Sequence, residues 1–144
     1  MPLRLISYNQ DDVFATFWGF EWSSSANWGL ITVVNSPDYC TSSDSTTKTF
    51  DELMTWLSTR DGVAFLNHPG REDDLNQEFT HFSSPPPDKV VGIELFNKTT
   101  GFSNYCYNDG YYSNDGDKSF YDEAIERGWD IAASGAEENH VGTW

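Results

Sequence analysis

Thr49-Phe50-Asp51-Glu52-Leu53-Met54-Thr55-Trp56-Leu57-Ser58-Thr59-Arg60-Asp61-Gly62-Val63-Ala64-Phe65-Leu66-Asn67-His68-Pro69-Gly70 reads as a helix followed by a strand. Thr49 and Glu52 stand three apart, the spacing at which each side chain can cap the other residue's backbone N–H. Phe50, Leu53, Met54 and Leu57 then recur at helical spacing, which predicts an amphipathic helix over residues 50–59. Asp61-Gly62 closes it. Val63-Ala64-Phe65-Leu66 is a short continuous apolar run, the pattern of a strand buried on both faces, and His68-Pro69-Gly70 breaks that run.

Downstream, residues 90–96 (Val-Val-Gly-Ile-Glu-Leu-Phe) form the next strand, residues 118–127 a helix that stops at Gly128, and residues 129–133 a last apolar strand. The order from Thr49 onward is helix, strand, loop, strand, loop, helix, strand, which predicts an α/β fold with mostly parallel strands. Upstream, residues 3–8, 13–20 and 30–35 read as three further strands. The polar stretches 35–48, 69–88 and 97–117 lack any period. Loops of that length in a compact domain are functional or wrongly assigned, and these flank the candidate ligands.

The 144 residues suit a single domain, and 38% apolar content with 16% aromatics suffices for a core. The net charge of −15 repels phosphate backbones and anionic lipid, which argues against nucleic-acid binding and suits a cation site. No run is long enough to span a bilayer, and residues 1–7 are not a signal peptide, so localisation stays open. Cys40 and Cys106 form no metal motif; they are two buried thiols or a pair. Asn97-Lys98-Thr99 is a glycosylation sequon by pattern.

Candidate ligands fall at the carboxyl ends of four predicted strands: Glu21, His68, the stretch from Glu94 to Asn97, and Glu138 with His140. In open α/β sheets and barrels, sites form at that end because loops converge there while strands hold them rigidly. Pro69 and Gly70 turn the chain sharply behind His68 and leave its imidazole at the strand mouth. Glu21 lies among aromatics in Gly19-Phe20-Glu21-Trp22-Ser23, where a buried carboxylate needs a cation or arginine partner. Glu138 and His140, two residues apart, pair oxygen and imidazole ligands suited to one divalent ion. His81 reads as an exposed loop residue. Trp18, Trp22, Trp28, Tyr105, Tyr107, Tyr111 and Tyr112 read as core or loop anchors, or as a sugar-stacking surface. The Asn/Asp/Gly run at 108–117 does not fit an EF-hand frame.

The ordered set Gly19-Phe20-Glu21-Trp22-Ser23, Phe65-Leu66-Asn67-His68-Pro69-Gly70-Arg71, Gly92-Ile93-Glu94-Leu95-Phe96-Asn97, Gly128-Trp129 and Gly135-Ala136-Glu137-Glu138-Asn139-His140 resembles the successive motifs of the PHP (polymerase and histidinol phosphatase) superfamily of metal-dependent phosphoesterases. The resemblance implies an incomplete distorted β/α barrel holding divalent metal ions (Mn, Fe or Zn) that activate water against a small-molecule phosphoester. It implies Glu21, His68, Glu138 and His140 as metal ligands, with Glu21, His68 and His140 catalytic and Arg71 and Asn97 contacting substrate.

The chain departs from the family pattern at three points. The opening His-x-His is absent, Leu30 stands where relatives often carry Gly-His, and Glu138 replaces an Asp. The implied domain is therefore truncated at both ends and its site is partial. A barrel short of its first strand leaves an open edge through which the chain could form a homodimer. The alternative function is a non-catalytic carbohydrate- or cation-binding module.

Overall fold

The computed structural model describes residues 9–10, 12–24, 29–69, 87–98, 105–107 and 120–136, with backbone alone for 96–98, 105–107 and 136. Within them run β1 (Gly19–Ser23), β2 (Leu30–Val34), α1 (Phe50–Ser58), β3 (Val63–Asn67), β4 (Val90–Lys98), β5 (Tyr105–Tyr107), α2 (Phe120–Glu126) and β6 (Ala132–Ala136). The strands form one six-stranded sheet. β1 pairs antiparallel with β2, and β2 antiparallel with β3. β3 and β6 both pair parallel with β4, and β5 pairs antiparallel with the end of β4. β5 and β6 both bond to Phe96 and Asn97, so they occupy opposite edges of β4, and β5 extends the edge that β3 leaves free.

This architecture overturns the β/α barrel and its mostly parallel strands. The sheet is mixed and open, and among the described residues only two short helices accompany it, making a small, mostly β domain. The cause is local. Only residues 24–29 join β1 to β2, too short a connection for a parallel crossover, so β2 runs against β1; β3 also pairs antiparallel with β2, although α1 lies in the connection between them. A barrel would also need a helix after nearly every strand.

The helix at Thr49 forms as its sequence dictates. Thr49 accepts from the Glu52 amide while Glu52 Oε2 accepts from the Thr49 amide at 3.0 Å and the Lys48 amide at 2.8 Å. Phe50, Leu53, Met54 and Leu57 face the sheet. They meet Trp22 of β1, Ile31 and Val33 of β2, Ala64 and Leu66 of β3, and Val90 and Ile93 of β4 in one cluster. α2 adds Phe120 and Ala124, and the segment after it adds Trp129, stacked on Phe50 at 6.1 Å, and Ile131. The buried Trp22 indole donates to the Thr47 carbonyl at 2.9 Å, which fastens β1 to the approach of α1.

Burial alternates along β2 and β3, so β3 is buried on one face and not on both. Thr32, Phe65 and Asn67 stand on the face opposite the helices. In β4 an extra residue, Val91, interrupts the register with β3, which lets Val90 and Ile93 share the core face although they are three apart. Gly92 lies under the Phe65 ring, where an added Cβ would stand 2.5 Å from Phe65 Cδ1.

Several expected boundaries shift. The strand expected at 13–20 begins only at Gly19, and Val13, Phe14 and Phe17 are exposed. The last strand is Ala132–Ala136, with Trp129 and Ile131 packing as core residues ahead of it. β5 lies inside the expected loop at 97–117. The strand expected at 3–8 and residues 70–86 of the expected loop lie outside the described residues. Cys40 is a buried free thiol, so it does not pair with Cys106. Burial pushes this thiol above its ordinary range. No helix among the described residues is long and apolar enough to cross a membrane.

Gly92→Ala should destabilise the fold by about 1–3 kcal/mol through overpacking against Phe65. In urea unfolding, the double variant with Phe65→Leu should lose less than the sum of the two single losses; strict additivity would refute the contact. The Thr49 and Lys48 amides hold the Glu52 carboxyl below its ordinary value. Its contribution to stability is therefore complete above the ordinary glutamate range and is lost as pH falls through the lower folded value. Glu52→Gln should be less stable than the parent at pH 7, with the gap closing in acid.

Candidate functional site

The directions of the strands place the candidate residues. Because β1 and β3 both oppose β2, and β3, β4 and β6 are parallel, β1, β3, β4 and β6 all run the same way. Their carboxyl ends therefore share one end of the sheet, despite the antiparallel strand between β1 and β3. Glu21 is the middle residue of β1, level with Phe65 of β3, and not past a strand end as expected; His68 directly follows β3, and Glu94 sits within β4 opposite Ser134 of β6.

The step from Asn67 to His68 is held from both sides. The Asn67 side-chain amide donates to Glu21 Oε2 at 3.0 Å, reaching across β2 from β3 to β1. The His68 backbone N–H donates to Glu94 Oε2 at 2.9 Å, reaching the other way to β4. Ser23 Oγ donates to the second Glu21 oxygen at 3.3 Å. Glu21 is exposed, whereas His68 and Glu94 are only 3% and 7% exposed. His68 has a φ of +25°, a conformation uncommon for a residue with a Cβ, and Pro69 behind it is buried.

Two of the expected ligands thus lie on the same half of the sheet, Glu21 within β1 and His68 just past β3, with β2 between the two strands. Glu138, His140 and Arg71 lie outside the described residues, as does the side chain of Asn97, whose backbone pairs with Cys106 and Ala136. Among the described residues no group of three or more His, Cys, Asp or Glu side chains is placed to hold a metal ion. A carboxylate and an imidazole are suitable donors for zinc, manganese or iron, but these residues supply only part of a coordination set.

Asn67 is the neighbour that motif reading passed over. Its signal is its register: alternation puts it opposite Leu66, on the same face as Glu21. Glu94 had a clearer signal, a lone carboxylate in an apolar strand, which burial would force into a hydrogen bond.

The aromatics divide. Trp22 is core. Trp18, Phe20 and Tyr39 form a ring cluster with centroids 5.8–6.5 Å apart, and Phe20 also meets Trp56 edge-on at 5.9 Å. Arg60 lies 3.9 Å over the Trp56 ring. The rings in this cluster are inclined to one another by 46–87°, so they make no flat stacking platform, and Tyr39 alone among them is largely exposed, at 68%. Trp28, Tyr111, Tyr112 and His81 lie outside the described residues, as do the side chains of Tyr105 and Tyr107.

His68→Gly should retain roughly 1 kcal/mol more stability than His68→Ala in chemical denaturation, because glycine adopts a positive φ without the Cβ penalty. Equal losses would indicate that the turn carries no strain.

Comparison of the chain with protein-family models, with curated proteins and with solved structures gives no match.

Proposed function

We propose that this chain is a metal-dependent hydrolase acting on phosphate esters, with Glu21 and His68 contributing ligands from β1 and β3, and Glu138 and His140 from the segment after β6. The observation that carries the reading is the common direction of β1, β3, β4 and β6, which sets His68 at the end of the sheet from which β6 leads on toward Glu138 and His140, with Glu21 bonded to Asn67 one residue before it. The ordered motifs resembling the PHP superfamily support the same chemistry without requiring the barrel. A divalent cation held there would lower the pKa of a bound water and screen the phosphoryl charge. The chain's own share is to present one carboxylate from β1 and one imidazole from the exit of β3, with Arg71 and Asn97 as substrate contacts.

Metal content after purification with manganese, iron or zinc is the direct test. At least one equivalent is expected, lost in Glu21→Ala and His68→Ala together with p-nitrophenyl phosphate hydrolysis. Less than one equivalent, unchanged by His68→Ala, would overturn the proposal. Saccharide binding that survives both substitutions would instead favour the non-catalytic carbohydrate-binding alternative.

A further inference from the structure

We propose that Glu94 is a positioning residue for His68: its buried carboxylate fixes the turn out of β3 and with it the direction of the imidazole. The inference rests on the hydrolase reading above and adds a residue that ligates nothing itself.

His68 is the first residue past the β3 ladder, where a backbone N–H no longer has a strand partner and still requires an acceptor when buried. Glu94 Oε2 supplies that acceptor at 2.9 Å. The positive φ of His68 makes the turn one that its own backbone disfavours, so contacts from outside must hold it. Glu94 is well placed to do so because β4 is paired on both edges and cannot drift. Phe65 covering Gly92 fixes β4 against β3 on the same face, two residues before Glu94.

The other side of the same step shows the same arrangement with the roles exchanged. Asn67 donates to the Glu21 carboxylate and so restrains the proposed ligand on β1. One dipeptide therefore couples both proposed ligands to the sheet. Glu21 is oriented by the Asn67 side chain, and His68 is oriented by Glu94 through the backbone. Outer residues of this kind aim ligands without touching the ion.

The test compares Glu94→Gln, whose amide oxygen can still accept the His68 N–H, with Glu94→Leu, which fills the space and accepts nothing. Two readouts are taken on the full chain at a temperature where circular dichroism shows each variant folded. The first is calorimetric titration with zinc(II) alone. Glu94→Leu should weaken binding by about tenfold or more and Glu94→Gln should recover most of it, as expected for a residue that orients a ligand. The second is the ring 1H–15N spectrum of the metal-free protein, assigned by His68→Ala. Glu94→Leu should move the His68 ring signals and Glu94→Gln should leave them near their original positions.

Unchanged His68 signals in Glu94→Leu would overturn the proposal, as would zinc affinity equal to that of the parent. Equal loss of affinity in both variants would overturn it too, because that pattern belongs to a direct carboxylate ligand. If the parent chain itself binds no zinc, the hydrolase reading fails, and the metal-free spectra still decide whether Glu94 sets the direction of His68.

Discussion

Strand β4 is hydrogen-bonded along both edges, and the rest of the sheet takes its order from that constraint. A strand enclosed in this way must satisfy every backbone group within the sheet and can carry few polar side chains. Its sequence answers residue by residue. Val90 and Ile93 enter the core, and the extra residue between them restores the phase that three-residue spacing would break. Gly92 admits the Phe65 ring, and Glu94 accepts from the His68 N–H. β3 and β6 both run parallel to β4, which brings their carboxyl ends to one end of the sheet.

The two helices among the described residues pack on one face of the sheet. α1, α2, Trp129 and Ile131 cover one side, and Trp22 locks β1 to that layer through its indole N–H. On the opposite face stand Glu21, Thr32, Phe65, Asn67 and Glu94, so polar chemistry and the packed core are separated by the thickness of a single sheet. Substitution at Glu21 or Asn67 therefore removes hydrogen bonds without opening a cavity in the core, a separation useful for a site that must bind ligand without loosening the fold.

Elements with local causes were legible from residue order. The Thr49–Glu52 capping box and the apolar spacing of Phe50, Leu53, Met54 and Leu57 give a helix within a residue of its expected bounds. The apolar runs starting at Leu30, Val63 and Val90 all form strands. Elements with distant causes were not legible. Residues 13–17 have strand-forming composition but make only an isolated bridge, because no strand among the described residues pairs with them. Ala132–Ala136 has little β propensity yet pairs with β4, because packing of Trp129 and Ile131 brings it alongside. In the site, His68 was identifiable as an imidazole at a strand exit, whereas Glu21 stands within β1, and Asn67 was not identifiable because its partner is 46 residues away.

By itself the sequence determined which segments bury an apolar face, where α1 starts and stops, and that carboxylate and imidazole groups stand near strand exits. These are properties of neighbouring residues, set by side-chain periodicity and capping chemistry. The tertiary structure alone decided that the sheet is open and mixed, that β2 runs against its neighbours, and that Asn67 and His68 are gripped by Glu21 and Glu94. Strand direction and side-chain partnership depend on which segments meet across the fold, and residue periodicity carries no information about that choice.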